Sequence, residues 1–243
     1  MNDIWANLAP VIAARHCKRA FLDRPVPDGV LTRVLEAAAG APSTRNNQPW
    51  RVEVVSGGAR DELVRALVGA FDEGEPSQPD YANRPATPDP VTAQRAAVAS
   101  NGVLRAKGYD STNPDERRRH LRDNLGIYGA PVAMIFHISE ALVPGAFLEV
   151  GLFLQLVMLG LVAHDLGSCP QFSVAGYPHI LRRQLGLSSD RLIVCNLAVG
   201  YPDPDVAVNR FVPPRAPAAE FVGWHHQARL HTSDKRPDRA RGR

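Results

Sequence analysis

Cysteine is scarce in this chain, and the common patterns that bind metals or build hydrolases are missing. Three cysteines occur among 243 residues, at positions 17, 169 and 195, and no two of them form a C-x-x-C pair. Single cysteines this far apart favour neither a disulfide framework nor a thiolate zinc site. The sequence also lacks H-E-x-x-H and G-x-S-x-G, the signatures of zinc proteases and of many serine hydrolases. We therefore expect no metal site.

Excess charge is small, and it is confined to one end of the chain. The formal net charge is +3, and residues 234–243 carry five Lys/Arg against two Asp, which accounts for all of it. A nucleic-acid surface would instead spread basic residues over a face of the domain, so we expect no nucleic-acid partner. The length suits one substantial core. We predict a single domain over residues 1–233 and a solvated, disordered basic tail over residues 234–243.

One long hydrophobic stretch occurs, at residues 145–164, and Glu149 and Gln155 interrupt it. This pattern favours a buried helix that is apolar on nearly all sides over a membrane span. The first residues contain an early Asp and no basic segment before a long apolar stretch, unlike a signal peptide. We expect a cytoplasmic protein without a membrane partner.

Hydrophobic periodicity predicts an α+β fold with a small, mainly antiparallel sheet covered by helices. The predicted helices cover residues 27–40, 59–71, 92–108, 114–129, 145–164 and 178–185, and the predicted strands cover residues 51–56, 132–138 and 191–200. The segment GSCPQFS at residues 167–173 is predicted to be a loop, with Cys169 as an ordinary buried thiol.

Residues 72–90 are rich in proline and polar residues, which predicts a long loop that adds little to the core. Long loops in compact domains are functional or disordered with comparable frequency. We expect a lid that brings Tyr81 over a bound acceptor, with a disordered surface excursion as the alternative.

Two polar segments near the start of the chain carry the chemistry. Residues 15–21 (RHCKRAF) gather cations, and residues 41–50 (APSTRNNQPW) gather small polar side chains. Guanidinium groups bind phosphate through paired, charge-assisted hydrogen bonds. Amide and hydroxyl groups suit the edge of a heteroaromatic ring. Taken alone, the first segment also fits a solvated charged face, and the second also fits a simple turn.

Together these segments resemble the opening of the FMN-dependent nitroreductase family. The second motif is complete, with Pro42, Ser43, Asn46, Gln48 and a final Pro-Trp pair. Residues 124–138, 151–173 and 192–211 continue the resemblance in the order and spacing of the nitrobenzoate-reductase-like branch. It implies the nitroreductase fold, as an intertwined homodimer with one flavin mononucleotide (FMN) in each of two interface clefts.

The resemblance also implies which residues bind FMN. Arg15, with the adjacent His16 and Cys17, and Arg19 would contact the phosphate and the pyrimidine edge of the flavin ring. Cys17 stands where the family has Ser, so a thiol replaces a stronger hydroxyl donor. The remaining predicted contacts are Pro42, Ser43, Asn46 and Gln48, of which the first three reach the partner subunit's flavin, the backbone of Pro170, Gln171 and Phe172 near the ring, and Arg215 at the phosphate.

The implied activity is hydride transfer from NADH or NADPH, through FMN, to an electron-poor aromatic acceptor by a ping-pong mechanism. The leading acceptors are nitroaromatic compounds, followed by quinones. No catalytic side chain is predicted, because the cofactor carries the redox step. Enone reduction or reductive dehalogenation on the same fold, and a protein that consumes or senses flavin, remain as alternatives.

Overall fold

A computed structural model describes residues 3–226 of the chain. The chain divides into two compact units, Met1–Pro213 and Pro214–Arg243. The described part of the second unit contains a short 3-10 helix at Ala218–Glu220. The predicted domain end at residue 233 and the predicted basic tail over residues 234–243 lie outside the described residues, so both stay predictions.

A four-stranded sheet forms the centre of the first unit, with the strand order β1-β2-β4-β3. Its strands are β1 (Arg51–Ser56), β2 (Val132–Ser139), β3 (Gly167–Gln171) and β4 (Arg191–Gly200), and all neighbours are antiparallel. The predicted α+β fold with a small, mainly antiparallel sheet is confirmed, as are the strands predicted at β1, β2 and β4.

The described residues form seven α-helices. They are α1 (Ile4–Ala14), α2 (Asp28–Ala38), α3 (Gly57–Asp72), α4 (Pro90–Ala106), α5 (Pro114–Leu125), α6 (Gly145–Val162) and α7 (Pro178–Leu185). Six of them correspond to predicted helices. The exception is α1, which begins after Asp3, whose carboxylate caps the helix by accepting from the backbone N–H groups of Trp5 and Ala6.

The prediction of a loop for the segment GSCPQFS is wrong for its first five residues, which form β3. These residues include a proline and no β-branched side chain, so their own propensity does not favour a strand. β3 is an edge strand that pairs only with β4 within the sheet. Proline is tolerated at an edge because its missing N–H removes no central ladder bond.

Each face of the sheet carries its own hydrophobic cluster, since successive side chains of a strand point to opposite faces. On one face, Met134 and Phe136 of β2 pack with core residues of α2 and α6. On the other, Ala133 and Ile135 pack with core residues of α3 and α7. The sheet is therefore a middle layer between two helical layers.

The loop predicted at residues 72–90 connects α3 to α4, and its residues are exposed apart from Asp80 and Tyr81, which are half-buried. The Tyr81 hydroxyl donates to the Val194 carbonyl at 2.7 Å, and its ring packs on Phe147. The Asp80 carboxylate accepts from Arg182 at 2.6 Å. Tyr81 is thus attached to the end of β4, and only the exposed residues 82–89 stay candidates for a lid.

Among the described residues, α6 alone is long and apolar enough to cross a membrane by length and composition. It packs against α2 and buries Val150, Phe153 and Val157 in the core. This packing identifies α6 as a core helix. Its opposite side exposes Leu148, which retains 70% of its accessible surface.

Candidate functional site

The basic segment at residues 15–21 lies along the open edge of the sheet, beside β3. Cys17 forms a parallel bridge with Ser168 of β3. Arg15 and Arg19 lie on either side of Cys17 in the chain, and both are close enough to the thiol to affect its charge. The sheet edge therefore holds the two predicted phosphate-binding arginines next to each other.

Asn209 fixes the backbone of this segment. Its side-chain oxygen accepts from the N–H groups of Arg19 at 2.7 Å and Ala20 at 3.2 Å. Its side-chain nitrogen donates to the carbonyls of Ala20 at 2.7 Å and Asp203 at 2.9 Å. Asn209 is almost fully buried. Asn209 is not among the predicted site residues, so its direct role in positioning Arg19 is a finding of the structure.

The Arg19 side chain reaches a pocket of about 790 Å³. Its guanidinium lies near the Tyr128 hydroxyl and the thiols of Cys17 and Cys169. Burial alone would lower the pKa of Arg19, but the thiols and the Tyr128 hydroxyl outweigh burial and raise it. Arg19 therefore provides a fixed positive charge at one wall of the pocket.

The pocket lining carries more positive than negative charge. Five cations, Arg19, Arg60, Arg65, Lys107 and Arg122, face three carboxylates. Each carboxylate has a cationic partner, in the pairs Arg60–Asp61 at 2.7 Å, Lys107–Asp123 at 2.6 Å and Arg122–Asp72 at 3.0 Å. The excess of two positive charges suits an anionic ligand. Lys107 is not among the predicted site residues.

Backbone strain accompanies this pocket. Ile127 and Tyr128 have φ values of 47° and 55°, a left-handed conformation that side chains other than glycine rarely adopt. Both are buried, and their conformation turns the chain into β2 while placing the Tyr128 hydroxyl against Arg19. Strain of this kind is common where a binding surface must be held in place.

The second predicted segment, residues 42–48, forms a strained loop against α6. Arg45, Asn46 and Gln48 all have positive φ, between 45° and 59°. The buried Glu149 carboxylate accepts from the Thr44 N–H at 2.6 Å. At the end of this loop, Trp50 stacks on Phe153 of α6, with ring centroids 4.7 Å apart.

Two further contacts stabilise the loop internally. The Ser43 hydroxyl accepts from the Gln48 N–H at 3.0 Å, and the Gln48 amide donates to the Asn46 carbonyl at 3.3 Å. Asn46 and Gln48 nevertheless stay exposed, as does Pro42. The loop therefore presents polar groups to the outside in a fixed conformation.

The two predicted segments of one chain lie at opposite corners of the sheet. When the strand pairing is followed across the sheet to β4, Arg51, which follows the loop, is in register with Ile193. Cys17 is in register with Val199. Six residues along a strand span about 20 Å, and crossing four strand spacings adds about 19 Å at right angles. Ser43 and Arg19 of one chain therefore cannot bind neighbouring atoms of one cofactor.

Comparison with known proteins identifies the family that shares this architecture. The model of the nitroreductase family matches residues 12–201, which include the sheet edge, the strained loop and all four strands. The chain belongs to the nitroreductase family. Nitroreductase NfnB of Mycolicibacterium smegmatis is 37% identical over 213 residues, covering 86% of this chain and 89% of that protein. A 4-nitrobenzoate reductase of Pseudomonas putida is 32% identical over 212 residues, covering 87% and 92%.

A solved structure shares the fold of this nitroreductase-family chain closely. The crystal structure of the FMN-dependent nitroreductase NfnB from Mycobacterium smegmatis, in complex with NADPH, superposes with a TM-score of 0.87. The two are 32% identical, and the match covers 92% of this chain and 100% of the other. The predicted nitroreductase fold is thereby confirmed.

In this nitroreductase-family protein, the side chain of Gln171 is committed to a buried hydrogen-bond network. Its amide nitrogen donates to the side-chain and backbone oxygens of Asn124, both at 2.6 Å, and its oxygen accepts from Asn196 at 2.6 Å. The side chain is therefore committed within the protein, and the predicted backbone contact of Gln171 with the flavin stays a prediction. Phe172 is exposed directly after it, and Pro170 is half-buried.

Two further predicted cofactor contacts are His16 and Arg215. The His16 ring nitrogens lie 3.0 Å from the Ala14 carbonyl and 2.9 Å from the Asn209 carbonyl, so both are engaged with the backbone. Any contact of His16 with a cofactor must therefore come from its backbone. Arg215 belongs to the second compact unit, so its predicted phosphate contact stays a prediction.

Proposed function

We propose that this protein is an FMN-dependent nitroreductase that transfers electrons from NADPH, or NADH, to a nitroaromatic compound. The main observation in support is the pocket at Arg19, whose lining includes the half-buried Arg19 guanidinium and carries two more positive than negative charges in a nitroreductase-family fold. Relatives named as a nitroreductase and a 4-nitrobenzoate reductase support the substrate class. A solved neighbour described as FMN-dependent and in complex with NADPH supports the cofactors.

The residues at the sheet edge fit FMN. Arg15 and Arg19 supply guanidinium groups for a phosphate, and the pocket volume falls in the range of about 300–1,000 Å³ usual for small-molecule sites. When bound, FMN supplies hydride acceptance from the nicotinamide and hydride donation to the acceptor. Between them, Arg15 and Arg19 would also supply a positive charge to the pyrimidine edge of the ring, where negative charge develops.

Other predicted contacts complete the proposed site. The backbone of Pro170, Gln171 and Phe172 would line the reactive edge of the ring, with Cys17 and the backbone of His16 near the phosphate. The exposed residues 82–89 remain the proposed lid over the acceptor.

The proposed enzyme is a homodimer in which each chain contributes to both flavin sites. Within one chain, Ser43 and Asn46 lie at the opposite corner of the sheet from Arg19. Their polar groups are exposed and held by the strained loop that Glu149 anchors. Such a loop is suited to bind a cofactor whose phosphate lies on a second copy of the chain.

An exposed apolar surface supports association of two copies. Leu148, Leu152 and Leu156 form a stripe along α6 with a spacing of four residues, which places them on one side of the helix. α1 packs next to α6 and exposes Trp5 and Leu8. Monomeric proteins rarely expose a contiguous apolar surface of this kind. A second copy of the same surface would cover it.

We also propose a cytoplasmic location. Cys17, Cys169 and Cys195 are all free thiols. Free cysteines are usual in reducing compartments, where disulfides rarely persist.

Cofactor analysis and anaerobic reduction test the function. We expect mass spectrometry of the released cofactor to find FMN, NADPH to bleach the flavin colour, and a nitroaromatic compound to restore it. Arg19→Ala should weaken FMN binding by about 1.5–3 kcal/mol, or about 10- to 150-fold, because a charge-assisted hydrogen bond is lost. Arg33→Ala, an exposed arginine on α2, is the matched control and should bind FMN normally. Flavin adenine dinucleotide, or no flavin after reconstitution, would contradict the proposal.

A further inference from the structure

Two free thiols, Cys17 and Cys169, lie side by side at the edge of the sheet. Cys17 is bridged to Ser168, so Cys169 is its diagonal neighbour across the same edge. Strand spacing and residue rise place diagonal Cα atoms about 6 Å apart, within the range of 4.4–6.8 Å that a disulfide spans. Cys17 belongs to an isolated bridge outside the strands, and its side chain packs against the same hydrophobic cluster that contains Cys169, so the two thiols are close enough to affect each other's charge.

The surroundings give the two thiols opposite properties. The adjacent Cys169 thiol and the nearby charges of Arg19, Arg15 and His16 lower the pKa of Cys17 to about 6, against the effect of burial. The adjacent Cys17 thiol and burial raise the pKa of Cys169 well above its usual value. The surroundings thus favour the thiolate at Cys17 and the protonated thiol at Cys169.

We propose that Cys17 and Cys169 form a redox-active dithiol that hydrogen peroxide converts into an intramolecular disulfide. The Cys17 thiolate attacks one peroxide oxygen, forming an S–O bond and breaking the O–O bond, and the departing hydroxide takes a proton to become water. The Cys169 sulfur then attacks the Cys17 sulfenic acid. An S–S bond forms, the S–O bond breaks, and the hydroxyl leaves with the Cys169 proton as a second water. Two thiols are oxidised by two electrons, and one peroxide is reduced.

This site differs from a single reactive cysteine because Cys169 lies next to Cys17, and not because Cys17 reacts much faster with peroxide. At pH 7 a thiol with a pKa of about 6 is about 90% ionised, against about 1% for one at the ordinary 9.0. The lower pKa also reduces the nucleophilicity of the thiolate, by about 16- to 30-fold for a Brønsted slope of 0.4–0.5. The net gain in rate is therefore only about three- to sixfold. A single reactive cysteine could not form the intramolecular disulfide.

Cys195 provides an internal control. It is fully buried in the cluster on the other face of the sheet, where burial raises its pKa to about 12. It should not react under conditions that oxidise the other two cysteines.

Peptide mass spectrometry after treatment with hydrogen peroxide tests the dithiol. The full-length protein is oxidised at pH 7, alkylated, digested without reductant and compared with untreated protein. We expect a peptide pair joined through Cys17 and Cys169, lighter by two hydrogens, that dithiothreitol separates, with Cys195 still alkylated. Cys169→Ser should instead accumulate a Cys17 sulfenic acid that a 1,3-diketone reagent traps, and Cys195→Ser should behave as wild type.

Either of two results would overturn the dithiol. One is oxidation of Cys17 to a sulfinic acid while Cys169 stays reduced. The other is loss of Cys195 at the same rate as Cys17. The wild-type measurement decides between these outcomes even if Cys169→Ser does not fold.

A second arm rests on the proposed function and has a separate readout. Saturating FMN should slow formation of the cross-link, because a phosphate held by Arg15 and Arg19 covers the Cys17 thiol and disfavours its charge. Equal rates with and without FMN would confirm the dithiol and remove the Arg15–Arg19 edge from the flavin site.

Discussion

Removal of the Asn209 side chain should destabilise the fold and weaken FMN binding together. Asn209→Ala removes four hydrogen bonds, two to N–H groups and two to carbonyls. The Ala20 carbonyl keeps a partner, since it also accepts from the Asp203 N–H at 3.1 Å. The N–H groups of Arg19 and Ala20 and the Asp203 carbonyl then lack the partner that Asn209 supplied.

The size of the effect follows from this count. A buried polar group without a partner costs about 1–3 kcal/mol. Arg19 and Ala20 are half-buried, so water can replace part of the loss. We therefore expect Asn209→Ala to lower the free energy of unfolding by about 2–4 kcal/mol, a large share of the 5–15 kcal/mol of a typical domain.

Urea unfolding at one fixed protein concentration measures this change, and FMN titration measures the loosening of Arg19. Asn209→Asp keeps the acceptor but turns a second oxygen toward two carbonyls, so it should be at least as destabilising. Asn101→Ala, an exposed position inside α4, is the control and should change stability by less than about 0.5 kcal/mol. A change this small for Asn209→Ala would refute the reasoning, because it would show that Arg19 is positioned by other groups.

Three further predictions concern other parts of the molecule. Glu149→Gln should weaken FMN binding severalfold in titration, since the Thr44 N–H loses a charged acceptor and the strained loop loosens, while the exposed Glu36→Gln should have no effect. Leu152→Glu should shift sedimentation from a dimer of two 26.4 kDa chains to a monomer, and a persistent dimer would place the interface elsewhere. Burial, reinforced by nearby cations, lowers the pKa of His120 to about 4, so the folded protein binds fewer protons than the unfolded chain between pH 6.5 and 4. Stability should therefore fall as pH drops through this window, by about 1–2 kcal/mol after allowing for residual exposure, and His120→Gln should flatten the pH profile of urea unfolding.

Local sequence was sufficient wherever one periodic pattern decided the structure. The apolar spacing of α2 and the β-branched residues of β4 predict their elements because burial on one or both faces demands those patterns. The two polar segments were recognisable for a related reason. Their residue types and order resemble the opening of the nitroreductase family, so Arg15, Arg19 and the Pro42–Ser43 pair could be picked out without a structure, and their roles toward FMN stay proposals.

The tertiary structure decided what depends on partners far away in the chain. β3 is a strand because β4 offers it a free edge, although its own residues, including Pro170, do not favour one. Tyr81 belongs to the core because Val194 supplies an acceptor for its hydroxyl more than a hundred residues away. No local pattern encodes either contact.

The arrangement of the site shows the same division most clearly. The sequence predicted that the segments around Arg19 and Ser43 bind the same kind of cofactor, but it does not give the distance between the two segments. Their placement at opposite corners of the sheet follows from strand order and register, which are set by long-range pairing. Asn209, which fixes Arg19 from 190 positions away, became visible only there. Side-chain chemistry is thus encoded locally, whereas the geometry that combines it is a property of the folded chain.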